Sequence, residues 1–92
     1  MDFVSKKVLL SGRVQGVGFR YFTRVTAREL NVKGWVRNRR DGKVETVIQG
    51  KPKQVESMIE QLKQGPAAAR VDAVDITDTD INETFSVFEV RR

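Results

Sequence analysis

Apolar and polar positions alternate from Val8 to Gly12, with Val8, Leu10 and Gly12 on one side and Leu9 and Ser11 on the other. That is a strand pattern, and the glycines at 16 and 18 end it in a turn. Phe22, Val25, Thr26 and Leu30 follow at offsets 0, 3, 4 and 8, which predicts a helix with those residues inward. Asn31 and Gly34 bracket its exit. Lys33 to Arg39 reads as a second strand, with Trp35 and Val36 on opposite faces. Asp41-Gly42 then signals a hairpin into a strand carrying Val44, Thr46 and Ile48. Pro52 suits the first turn of a second helix, where its missing N–H is not needed. Val55, Met58, Ile59 and Leu62 give that helix its apolar face, and Gly65-Pro66 stops it. Val74 and Ile76 mark another strand, and Phe85 to Val90 a short last one.

The predicted order is β-α-β-β-α-β plus a terminal strand. It fits an α+β, two-layer sandwich of the ferredoxin-like, split βαβ type, with a mostly antiparallel sheet. Right-handed crossovers put both helices on one face. With 92 residues and no linker or repeat, residues 1–92 are expected to form one domain.

Composition narrows the chemistry. The chain has no cysteine and no histidine. Thiolate nucleophiles, disulfides, His general bases and His- or Cys-ligated metals are therefore excluded. The longest aliphatic runs are Val8-Leu9-Leu10 and Ala67-Ala68-Ala69, far short of a membrane span. No signal peptide opens the chain, so a cytoplasmic protein without a membrane role is expected. The net charge of +5 is uneven: residues 1–46 carry 11 Lys/Arg against 4 Asp/Glu, residues 47–92 carry 6 against 8. The first half should face something anionic.

The segment Gly12-Arg13-Val14-Gln15-Gly16-Val17-Gly18-Phe19-Arg20 joins the first strand to the first helix. Glycines in such a turn let backbone amides point inward, and the helix adds unpaired N–H groups and its positive dipole end. Together they form a ready anion site. Arg20 in the first helical turn opposes the dipole, a cost that a bound dianion would reverse, and its planar fork matches two phosphate oxygens. From spacing alone, a glycine-containing connection with a solvated arginine fits equally well. A dinucleotide-binding fingerprint fails because its third glycine would fall on Tyr21, and no Gly-Lys-Ser/Thr loop exists. Asn38 ends the row Val32, Gly34, Val36, Asn38 on the second strand. Alone it reads as a turn former.

Leu10 to Arg20 resembles the first signature of the acylphosphatase family. Gly34-Trp35-Val36-Arg37-Asn38, with Gly42, Val44 and Gly50 at their spacings, resembles the second. The two stand in the right order and at a familiar separation, and the resemblance covers the chain from about Lys6 onward. It implies hydrolysis of acyl phosphates to a carboxylate and inorganic phosphate, with no cofactor. It further implies that Arg20 and the backbone amides of Gln15, Gly16, Val17, Gly18, Phe19 and Arg20 bind the phosphate, while Asn38 holds the attacking water. Gly18, Arg39 and Arg40 are free positions in the pattern, where substrate or rate can differ. Arg13, Arg37, Arg39 and Arg40 flank the two segments, and their shares in attracting substrate are left open.

The chemistry suits the composition. A carboxylate leaving group needs little help from a general acid, and phosphoryl transfer asks mainly for placement and charge stabilisation. Expected partners are a small acyl phosphate and inorganic phosphate, the latter as product and inhibitor, with the protein a monomer and metal-independent. The alternative is a non-catalytic phosphate-ligand or RNA-binding ferredoxin-like module. Phe19, Tyr21 and Trp35 beside Arg37, Arg39 and Arg40 invite base stacking, but the aromatic run of RNA-recognition domains is missing and Trp35 is expected to pack on a neighbouring element. Asp78, Asp80, Asn82 and Glu89 fall at calcium-loop spacings, but Glu83 replaces the required glycine and strands flank the segment, so an acidic surface turn is expected.

Overall fold

The structure is a computed structural model, described here for residues 3–79 and 83–92. Seven elements follow the predicted order: β1 (Val4–Arg13), α1 (Phe19–Glu29), β2 (Lys33–Asn38), β3 (Val44–Gly50), α2 (Pro52–Gln64), β4 (Arg70–Asp78) and β5 (Phe88–Arg91). The sheet runs β4-β1-β3-β2-β5. Every pairing is antiparallel except β2 with β5. β3 lies between β1 and β2, the split βαβ arrangement.

Register assigns the two faces. Leu10 pairs with Val44 and Val8 with Thr46 on β3, while Val36 of β2 also meets Thr46, so these share one face. They are buried, and α1 and α2 cover them. The two helices complete the core with Phe19, Ala27, Val55, Met58, Ile59 and Leu62. Thr46 is tolerated there because its hydroxyl donates to the Trp35 carbonyl at 2.7 Å. The other face carries Lys7, Glu45, Val47, Trp35, Arg37 and Arg91.

α2 follows its expected pattern, with Pro52 in the first turn, Val55, Met58, Ile59 and Leu62 buried, and Gly65 as C-cap. α1 departs from it. Its buried residues are Phe19, Thr23, Thr26 and Ala27, rather than Phe22, Val25, Thr26 and Leu30. Phe22 and Leu30 pack only partly against the core. Thr23 can turn inward because its Oγ1 donates to the Phe19 carbonyl at 2.8 Å, which satisfies the hydroxyl inside the helix.

One smaller expectation also shifts. β5 starts at Phe88 rather than Phe85, because the Phe85 amide donates to Gln49 Oε1 at 3.1 Å instead of joining the ladder. Trp35 does pack on a neighbouring element, the strand β5: on the helix-free face the Arg91 guanidinium carbon lies 4.8 Å from its ring centroid, and that of Arg37 5.8 Å. The calcium-loop count falls partly on Asp80 and Asn82, which lie outside the described residues. Among the described residues, no helix is long and apolar enough to cross a membrane.

Candidate active site

Two buried side chains anchor the connection from β1 to α1. Val14 is 1% exposed at one end and Phe19 2% at the other. Between them the backbone arches outward, with Gly16 at φ 74° and Gly18 at φ 78°. Both values are left-handed, a region where L side chains are strained, so the sequence pays for this curvature with glycine. Gly18 is also the N-cap of α1, and no side chain caps the helix. No acidic residue occupies its first turn. Among the described residues, no acceptor is found for the amides of residues 15–20; the first helical bond there runs from the Phe22 amide to the Gly18 carbonyl. Six donors in sequence are left available to an anion.

A cleft of about 650 Å³ opens beside this loop. It is lined by the loop residues Val14, Gly16, Gly18, Phe19 and Arg20, and by Asn38 across from them. Arg20 stands in the first turn of α1. Asn38 is the last residue of β2, paired with Val44, and shares the helix-facing side of the sheet with Val36. Its Oδ1 is buried and has no hydrogen-bond partner among the described residues. Buried amide oxygens are ordinarily satisfied. Unpaired, this one is free to accept from a water or ligand. The structure thus brings Arg20, Asn38, Gly16, Gly18 and Phe19 to one cleft. Gln15 and Val17, expected in the same loop, are not among its lining residues.

Gln15 does something the sequence did not suggest. Its Nε2 donates to the carbonyls of Arg39 at 2.7 Å and Lys43 at 2.9 Å. Those residues begin and end the β2–β3 turn, closed by an Arg39 amide to Lys43 carbonyl bond of 2.8 Å. One side chain therefore ties the glycine loop to the hairpin that carries Asn38. The turn is further fixed by Asp41, which accepts from the Lys43 amide at 3.2 Å and pairs with Arg39 at 3.1 Å. The Lys43 amide, and then the Arg39 charge, hold the Asp41 carboxyl below its ordinary pKa.

Uncapped amides in the loop that borders the cleft, with an arginine and an unpaired amide oxygen at the cleft itself, suit an anionic substrate attacked by water. Comparison with known proteins identifies which. Residues 6–90 match the Acylphosphatase family. The chain belongs to the acylphosphatase family. It is 46% identical over 91 residues to the acylphosphatase of Acaryochloris marina, covering 99% of this chain and 97% of that one. The acylphosphatase structures of Coxiella burnetii and Bacillus subtilis superpose with TM-scores of 0.93 and 0.93, at 38% and 34% identity. The first match covers 98% of this chain and 94% of the other, the second 97% and 99%. As an acylphosphatase, the protein is an enzyme that hydrolyses acyl phosphates, and its substrate is a small molecule.

The remaining cleft residues are Tyr21, Arg24, Val90 and Arg92. Sequence reading weighed Tyr21 only for base stacking and Val90 only as part of the last strand, and passed over Arg24 and Arg92. Arg24 carried one usable signal, since it lies four residues after Arg20 and so one turn along the same helical face.

Proposed function

We propose that Arg20 and the amides of Gln15, Gly16, Val17, Gly18, Phe19 and Arg20 hold the substrate phosphate, and that Asn38 orients the attacking water. The observation that carries this reading is the run of six amides without acceptors, ending in Arg20 beside a buried, unpaired Asn38 Oδ1. Asn38 Oδ1 accepts a hydrogen bond from the water, whose lone pair then faces phosphorus. As the new P–O bond forms, the bond from phosphorus to the acyl oxygen breaks, and its electron pair leaves on the carboxylate. The water's other proton passes to a phosphate oxygen, so no protein base is needed. Charge on the equatorial oxygens is met by the amides and the Arg20 fork.

The reading extends to a single-domain monomer acting in the cytoplasm without a metal or a nucleic-acid partner. Trp35, the aromatic that a stacked base would need, is already covered by two guanidiniums.

The test is hydrolysis of benzoyl phosphate in EDTA by wild type, Arg20→Ala and Asn38→Ala, with folding checked by circular dichroism. Arg20→Ala should lose on the order of 10³-fold or more in turnover. Asn38→Ala should lower kcat more than phosphate affinity. A folded Arg20→Ala that keeps its activity, or a wild type silenced by EDTA, would overturn the assignment.

A further inference from the structure

The cleft holds more space and more positive charge than a phosphate group uses. A volume of about 650 Å³ is that of a site for a whole ligand. Beyond the phosphate loop it is walled by Tyr21, Arg24, Val90 and Arg92, and among the described residues no Asp or Glu lines it. Among the described residues, neither Arg20, Arg24 nor Arg92 makes an ion pair.

Arg24 is the unexplained member. It repeats Arg20 one turn along α1, a like-charge spacing that disfavours the helix. Its Nε is buried without a hydrogen-bond partner among the described residues. Its guanidinium carbon lies 5.7 Å from the Tyr21 ring centroid, which steadies the group against the cleft wall. General attraction of anions would need only a solvated charge. A buried, unpaired Nε in a cleft wall fits a specific acceptor, and a carboxylate suits the guanidinium edge.

We propose that Arg24, with Arg92 lining the same cleft, forms a subsite for a carboxylate on the acyl portion of the substrate. The preferred substrates are then acyl phosphates of dicarboxylic acids. This rests on the reading above, in which Arg20 and the loop hold the phosphate and leave Arg24 to the acyl end.

The experiment compares kcat/KM for 3- and 4-carboxybenzoyl phosphate with that for the matching carbamoylbenzoyl phosphates, which have the same shape without the charge. Wild type should favour a carboxylated substrate by about tenfold or more, the worth of one charge-assisted contact. Arg24→Gln should bring that ratio close to one, and Arg24→Lys should keep part of it. Any uniform loss of activity divides out of the ratio. Arg28→Gln, one turn further along α1 and exposed, should keep the full ratio. A wild-type ratio of one at both ring positions would overturn the proposal. So would an unchanged ratio in Arg24→Gln, or an equal fall in Arg28→Gln, which would mark a general field. Failure of the phosphate reading shows separately, as benzoyl phosphate hydrolysis surviving in Arg20→Ala.

Discussion

Replacing Gln15 with leucine tests whether the two halves of the site are held together by one side chain. The variant removes both Nε2 bonds, at 2.7 and 2.9 Å, while keeping similar bulk. Neither carbonyl is left without a donor, because Arg39 O still accepts from the Gly42 amide at 3.2 Å and Lys43 O from the Arg39 amide at 2.8 Å. The loss is therefore two net hydrogen bonds without a full desolvation penalty, about 1–3 kcal/mol. For a chain of this size that lowers Tm by roughly 5–20 °C. Function should suffer as well. An untethered loop must be ordered at each binding event, at about 1–2 kcal/mol per residue fixed. With one residue released, kcat/KM for benzoyl phosphate should fall on the order of tenfold, and phosphate inhibition should weaken in parallel. Urea unfolding followed by Trp35 fluorescence gives stability, and steady-state hydrolysis with added phosphate gives the rest. A destabilised variant with unaltered kcat/KM and phosphate inhibition would refute the coupling. An unchanged Tm would refute the hydrogen bonds themselves.

Three further outcomes follow from the same geometry. Gly34→Ala should be largely unfolded: Gly34 has φ 139°, and a Cβ there would overlap the Val47 carbonyl oxygen of the central strand. A cost on the order of 4 kcal/mol or more would consume much of a small domain's stability, and a Tm within a few degrees of wild type would contradict it. Inorganic phosphate at ten times its Kd should stabilise the fold by about 1.4 kcal/mol, raising Tm by roughly 5–10 °C, and the shift should vanish in Arg20→Ala. Asp41 has its carboxyl pKa lowered by the Lys43 amide and Arg39, so its contribution is present above the unfolded carboxylate range and lost as pH falls through the lowered folded value. The stability gap between wild type and Asp41→Asn should therefore narrow on acidification below about pH 4, and a gap that is flat or widens in urea titrations would disprove the linkage.

Local signals made much of this molecule legible. α2 carries its start, its face and its stop in Pro52, Val55 to Leu62 and Gly65, so nothing distant was needed to place it. The Arg39–Lys43 turn was equally plain, because Gly42 takes a left-handed φ of 90° and only a few residue types allow that. The buried face of α1 was read wrongly because the pattern was anchored on Phe22, Val25 and Leu30, whereas Phe19 and Thr23 turn inward and the helix satisfies the Thr23 hydroxyl internally. Within the site, Gly16, Gly18, Arg20 and Asn38 stand out as a strained turn, a first-turn cation and a strand end. Gln15 does not, since its partners lie 24 and 28 residues away and depend on how the hairpin comes back against the loop. The parallel pairing of β5 with β2 was hidden for the same reason.

The contrast between the two faces of the sheet explains how such a site is maintained. On the helix-free face, the Glu45 side chain is only 7% exposed, yet Arg37 reaches it at 2.7 Å and Lys7 at 3.6 Å. The fold satisfies a nearly buried charge there completely. Around the cleft it leaves the start of α1 uncapped, Asn38 Oδ1 and Arg24 Nε unpaired among the described residues, and two glycines in left-handed conformations. Each of these costs stability by itself. What unites them is location, since all of them belong to the cleft or to the loop that borders it. A phosphate bound there as we propose would satisfy the amides and reverse the repulsion between Arg20 and the helix dipole. In the proposed site the donors are unpaired before substrate arrives, which would leave little to break when charge builds on the phosphoryl oxygens. That preorganisation is what a reaction with a good leaving group requires from a chain that has neither histidine nor cysteine.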